Sequence, residues 1–263
     1  EKVNGTLTVN KAPVTITTGS ASKTYDGTPL TNEEAAISGL AEGESVTLQA
    51  TGTITDVGST ENTYTIEWDK ASADNYTVTE SLGTLTVTKA AITIKVVGNT
   101  AVKTYNGKEQ RAEGYVLTCE AGLYDADKVK FSGEAAAKGT DVGTYPMGLA
   151  AEQFSYEDSN VEAAFEITDG WLKIEPAALT ITVNGNADTR IYNGSEQSFA
   201  GTFNASCSDA GFDAGKFSYS GNTTAAGTNV GDYTTDPAEE NCSYSDSNYN
   251  ITWKMGDPVK LTI

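Results

Sequence analysis

Apolar and polar residues alternate along much of this chain with a period of two, the mark of strands that bury one face. Leu85 and Val87 stand at odd positions in "GTLTVTK", and Ile92, Ile94 and Val96 follow at even ones. Leu172 and Ile174 in "GWLKIEP" are even, and Leu179, Ile181 and Val183 are odd. Leu7 and Val9 stand in the same relation to Val14 and Ile16. A one-residue slip moves every side chain of a strand to its other face, so each flip marks one strand ending and another starting toward a different core. The flips fall at Ala12-Pro13, Ala90-Ala91 and Pro176-Ala177 and divide the chain into 11–89, 90–176 and 177–263. Residues 1–10 read as the last strand of a preceding unit, so the chain reads as a piece of a longer polypeptide. A linker of about four residues or fewer cannot behave as a flexible coil, so the three units are expected to form a semi-rigid array.

Within each unit about seven short strands are separated by clusters of Gly, Asn, Asp and Ser, the spacing of a sandwich or small barrel. One helical turn fits "LYDADKVKF" and its counterparts "LAEGESVTL" and "FDAGKF". The predicted fold class is all-β: three tandem small β-sandwiches, immunoglobulin-like or β-grasp-like, each with at most one short helical turn.

Three short elements recur in every unit. The first is Tyr25-Asp26-Gly27, Tyr105-Asn106-Gly107 and Tyr192-Asn193-Gly194. Asp-Gly and Asn-Gly suit a type I′ hairpin turn, which needs positive φ at both central positions. A catalytic carboxylate could not become an amide in two copies of three, whereas a turn tolerates the exchange. These nine positions are therefore read as structural turns, with the tyrosines as core or rim anchors. The second element is "DVG" or "NVG", beginning at Asp56, Asp141 and Asn229; "DVGTY" and "NVGDY" carry the spacing of a tyrosine corner, from which the first unit departs by displacing Tyr64. The third is "DNY", "SNV" or "SNY", from Asp74, Ser159 and Ser247.

The Tyr-Asx-Gly element, "GLAEGESVTL", "DVG", "ADNYTV" and a closing "GTLTVTKA" together resemble the YDG and MBG-type repeats of bacterial surface adhesins. The first unit matches nearly throughout, while the other two keep the short elements and drift between them. The resemblance implies an extracellular location on a bacterial surface or wall, with tandem β modules serving in a stalk or in host binding.

The net charge of −19 is spread evenly, at −7, −6 and −6 over the three units. Such a surface repels nucleic acid and anionic lipid, which excludes both as partners. No apolar run approaches the roughly 18 residues of a spanning helix, so no direct membrane insertion is expected. The chain has no histidine, and no P-loop, GxSxG, HExxH or dinucleotide fingerprint, so no enzyme activity, cofactor or metal site is expected. "YEDSN" and "YSDSN" offer oxygen ligands without a calcium-loop spacing, and no buried Lys, Asn and acid can be picked out for an amide crosslink.

Cys207 and Cys242 align with Cys119 and Phe154 of the second unit, which leaves two readings of the third, a disulfide or two buried thiols; Cys119 is expected to be free and buried. Trp171 replaces Thr84 on the face opposite Leu172 and Ile174, either exposed to stack on a partner or packed near the joint. Trp68 and Trp253 are expected in cores. The reading is a non-enzymatic adhesin array, monomeric as a fragment, that binds a host glycoprotein (mucin-type or immunoglobulin). The alternative is a spacer projecting an adhesive tip elsewhere in the chain. Scattered exposed aromatics would fit the spacer, and one contiguous patch the binder.

Overall fold

A computed structural model describes residues 5–263; residues 1–4, part of the expected leading strand, lie outside the described residues. The chain is all-β, interrupted only by single 3-10 turns. In the first repeat the strands are β1 (Ala12–Thr18), β2 (Ala21–Thr24), β3 (Ala35–Ser38), β4 (Thr47–Ala50), β5 (Gly58–Glu61), β6 (Tyr64–Glu67), β7 (Tyr76–Ser81) and β8 (Thr84–Thr88). They form the sheets β3-β1-β7 and β2-β8-β5 and the pair β4-β6. Each central strand has one antiparallel and one parallel neighbour.

Two chain segments build both sheets. β1 passes into β2 through Gly19, β7 passes into β8 beside Gly83, and the two segments run parallel. They cross so closely that a Cβ on Gly83 would lie 2.3 Å from the Gly19 carbonyl oxygen, and one on Gly185 would lie 2.2 Å from the Val259 nitrogen of the third repeat. Only glycine fits these crossings. The bending splits the first and last strands in two, which is why each repeat has more strands than the alternation predicts.

The same scheme recurs. In the third repeat Ala177–Gly185 is flanked by Phe203–Ser206 and Tyr249–Met255, and Val259–Thr262 by Ala187–Thr189 and Asp232–Thr235. Register is kept: Ala12 lies opposite Tyr76, and Ala177 opposite Tyr249. In the second repeat Ala90–Gly98 is flanked by Tyr115–Thr118 and Val161–Thr168, and Trp171–Glu175 by Thr100–Thr104 and Gly143–Pro146. One residue, Lys89 or Pro176, separates the closing strand of one repeat from the first strand of the next.

Leu179, Ile181 and Val183 meet Val259, Leu261, Phe203 and Ala225 in the core of the third repeat, and Trp253 packs on it. Each fully buried aliphatic side chain there contributes about 1.5–3 kcal/mol. Leu7 and Val9 carry the pattern of Leu85 and Val87, yet they are 89% and 85% exposed in a stretch without regular structure, whereas Leu85 and Val87 are buried.

The chain divides into two compact units. One comprises Glu1–Val96, Leu117–Gly133 and Ala150–Thr168, and the other Val97–Val116, Glu134–Leu149 and Asp169–Ile263. The first therefore holds the first repeat with part of the second, and the second holds the rest.

Helical turns occur in two of the three expected places, at Ala126–Lys128 and Ala214–Lys216, where Asp125 and Asp213 accept from the backbone N–H of Asp127 and Gly215. In "LAEGESVTL" the counterpart is Glu42, whose side chain is one methylene longer, and Gly43 has φ +82°; no turn of helix forms there. The first repeat has its 3-10 turn at Ala73–Asn75 instead, and the second and third repeats exceed the one turn expected of each by adding Ala151–Gln153 and Glu239–Asn241.

Candidate functional site

The three Tyr-Asx-Gly elements are bends held by the Asx side chain. Asp26 Oδ1 accepts from Thr28 N at 2.9 Å, Asn106 Oδ1 from Lys108 N at 3.0 Å, and Asn193 Oδ1 from Ser195 N at 3.0 Å. The glycines have φ of +79°, +72° and +78°, and no non-glycine residue among those described has positive φ. The type I′ geometry expected from the dipeptide is therefore not adopted. The side-chain oxygen closes the bend in place of a backbone carbonyl, and carboxylate and amide both supply that oxygen. Asp26 also accepts from Lys23 Nζ at 2.6 Å, and this bond, followed by those from Thr28, holds its carboxyl well below the usual range.

The DVG element is a tyrosine corner in two repeats. Tyr145 donates to the Asp141 carbonyl at 2.9 Å and Tyr233 to the Asn229 carbonyl at 3.1 Å. Each ring lies over a glycine: a Cβ on Gly139 or Gly227 would fall 2.2 or 2.0 Å from it. In the first repeat Thr60 takes the tyrosine position, and Ile54, bridged to Leu30, takes the glycine position. Displaced Tyr64 sits on β6 and bonds Glu80 at 2.6 Å; burial, then Glu80, pushes its phenol up to about 12.

All three elements meet at the joints between repeats. At the first joint, Asn160 Oδ1 accepts from Val57 N at 2.8 Å and its Nδ2 donates to Asp56 Oδ1 at 3.0 Å. Tyr25 packs against the cluster of Ile92, Ile94 and Val161 that belongs to the second repeat. At the second joint Asn248 Oδ1 accepts from Val142 N at 2.8 Å, its Nδ2 donates to Asp141 Oδ1 at 3.1 Å, and Tyr105 meets Tyr249 edge-on at 5.3 Å. Burial, then Tyr105, pushes the Tyr249 phenol up. The backbone of the same asparagines anchors their own repeats, as the Asn160 and Asn248 carbonyls accept from Ala90 N and Ala177 N. Each DVG element is thus a socket and each asparagine tip a plug.

The tips are set by an ion pair. Lys128 Nζ lies 2.7 Å from Asp158, whose other oxygen accepts from Asn160 N; Lys216, Asp246 and Asn248 N repeat the arrangement. The lysine hydrogen bond is the largest cause holding each aspartate below the usual carboxylate range, and each lysine is raised in turn.

Sequence reasoning did not single out Asn160 and Asn248. Their signal was an asparagine kept in step with DVG, which makes sense only when the DVG of one repeat is matched to the tip of the next.

Trp171 is half-buried at the start of its strand, in register with Thr100 and Pro146. All three cysteines are free and half-buried. Cys207 Sγ accepts from Asp209 N and Cys242 Sγ donates to the Ala238 carbonyl, each at 3.4 Å, so no bridge joins them. Exposed Val78, Val97, Val102 and Val116 are scattered through the strands, and Leu7 and Val9 lie ahead of the first strand. Ile191, Tyr192 and Val230 belong to the bend and socket of the third repeat.

Fold and joints together define a class: tandem β repeats joined by a repeated polar contact. Residues 10–83, which cover nearly all of the first repeat, match the YDG domain family. No curated protein matches the chain.

Proposed function

We propose that the chain is a non-enzymatic array of adhesin-type repeats, related to the YDG and MBG modules, from the surface of a bacterium, and that its task is to space and project a binding region. The observation that supports this most is the joint, built twice from the same asparagine, the same valine amide and the same aspartate. A chain that conserves polar contacts between its modules has its geometry between modules as a working part. The missing histidine leaves it without the commonest general base. The even negative charge keeps an extracellular array soluble and apart from its neighbours.

Host-glycoprotein binding, of mucin or immunoglobulin, is the second reading, favoured by Trp171, where one repeat breaks the pattern of the others. The test is capture from mucus and serum on the whole chain and on W171A. A partner held by the parent chain and released by W171A would replace the spacer reading; no retention above a scrambled control supports it.

A further inference from the structure

The third repeat carries a socket that no asparagine tip among the described residues meets. Asn229-Val230-Gly231 stands where Asp56-Val57-Gly58 and Asp141-Val142-Gly143 stand, and it is shaped in the same way. Tyr233 closes it from four residues downstream, as Tyr145 does in the second repeat, accepting from Asn229 N and donating to Asn229 O. Gly231 is tied to Ile263 in both directions at 3.0 and 2.9 Å, which pins the far side of the elbow to the closing strand. Val57 and Val142 are half-buried, whereas Val230 is 75% exposed. Beside it Tyr192, the counterpart of Tyr25 and Tyr105, is 53% exposed, and Ile191, where the other repeats have Thr24 and Thr104, is 91% exposed.

We infer that this end of the third repeat is a docking face for a further module of this same fold, one that presents an asparagine at the position of Asn160 and Asn248. The incoming amide oxygen accepts from Val230 N, its Nδ2 donates to Asn229 Oδ1, and the residue after it covers Tyr192, as Val161 and Tyr249 lie beside Tyr25 and Tyr105. The occupant is specified because the same three contacts are seen filled in this way twice in one chain. Asn229 in place of aspartate changes the selectivity. An aspartate socket repels an aspartate tip, whereas an asparagine socket offers both an acceptor and a donor and takes either.

The inference rests on reading the joints as structural, and one experiment separates the two. Thr88 and Lys89 separate buried Val87 from Ala90, where the next repeat begins, and Asn10 and Lys11 stand before Ala12 in the same places. A tandem in which residues 10–263 follow directly on Ile263 therefore restores this spacing and brings Asn75, exposed in the single chain, to this socket. Amide hydrogen exchange is measured at Val230 and Val142 in the single chain, the tandem and the tandem carrying N75A in its second half. The expected result is Val230 slowed about tenfold or more in the tandem, toward Val142, and returned to the single-chain rate by N75A, since one to two hydrogen bonds are worth about this factor. Val230 unchanged in the tandem, or still slowed with N75A, overturns the inference. Val142 as fast as Val230 in the single chain counts instead against the structural reading of the joints.

Discussion

Replacing Asn248 by alanine removes the plug of the second joint and leaves the rest of its repeat in place. The side chain makes two hydrogen bonds across the joint, 2.8 Å from Val142 N and 3.1 Å to Asp141 Oδ1. A typical hydrogen bond contributes about 0.5–1.5 kcal/mol net, so the pair is worth about 1–3 kcal/mol. Asp141 is exposed and regains water, which lowers its share, while the amide of half-buried Val142 loses its partner. The balance is about 1.5 kcal/mol, close to a tenfold rise in opening at the joint. Native-state hydrogen exchange reads this directly: Val142 should exchange about tenfold faster in N248A, while amides in the core strand Ala177–Gly185 keep their rates. N248D is the sharper variant. Its carboxylate can still accept from Val142 N, yet it sets a second negative charge against Asp141, so it should open the joint at least as much and recover partly in high salt. Unchanged exchange at Val142 in both variants would refute the plug-and-socket account, because the contact would then carry no free energy.

Three further outcomes follow from the geometry. G139A puts a methyl group into the Tyr145 ring and should lower stability to urea by about 2 kcal/mol, with part recovered in G139A/Y145T; an unchanged midpoint would show that the ring has room to move. Asp158 and Asp246 have folded pKa values below their unfolded value of about 3.9, so their stabilisation is complete above that pH and is lost as pH falls through the folded values; a pH series of melting temperatures should drop there, less steeply in K128M/K216M. All three cysteines should alkylate in denaturant without reductant, and in the native protein at pH 8 Cys242 should react more slowly than when unfolded, since burial pushes its thiol up; a mass two hydrogens short would place a disulfide there instead.

The alternation of Leu85 and Val87 against Ile92, Ile94 and Val96 was legible because burial on one face of a strand imposes a period of two whatever the strand pairs with. What period cannot carry is the partner. That β1 lies parallel to β7, and β2 to β8, depends on segments some sixty residues apart meeting in one register. The conformation of the Tyr-Asx-Gly bend was misjudged for a related reason: Asn-Gly serves both a hairpin turn and an Asx bend, and only the flanking chain decides between them. The exchange of Tyr145 and Gly139 for Thr60 and Ile54 is a packing compensation between two positions that lie near each other in the chain but on separate strands, and it does not show until both are placed. The joint was hidden most deeply, because its two halves sit in different repeats and each looks like an ordinary loop within its own.

The parallel course of the first and last segments has a mechanical consequence. Tension on the first repeat enters at Ala12 and leaves at Thr88, so it draws β8 lengthwise against β2, its parallel neighbour. The ladder from Ala21–Leu85 to Thr24–Thr88 is then sheared as a whole instead of being peeled open bond by bond, and the third repeat is threaded in the same way. Rupture in shear needs several bonds to fail together, which slows forced unfolding. A repeat threaded in this way resists extension more than one whose two ends would peel apart an antiparallel pair.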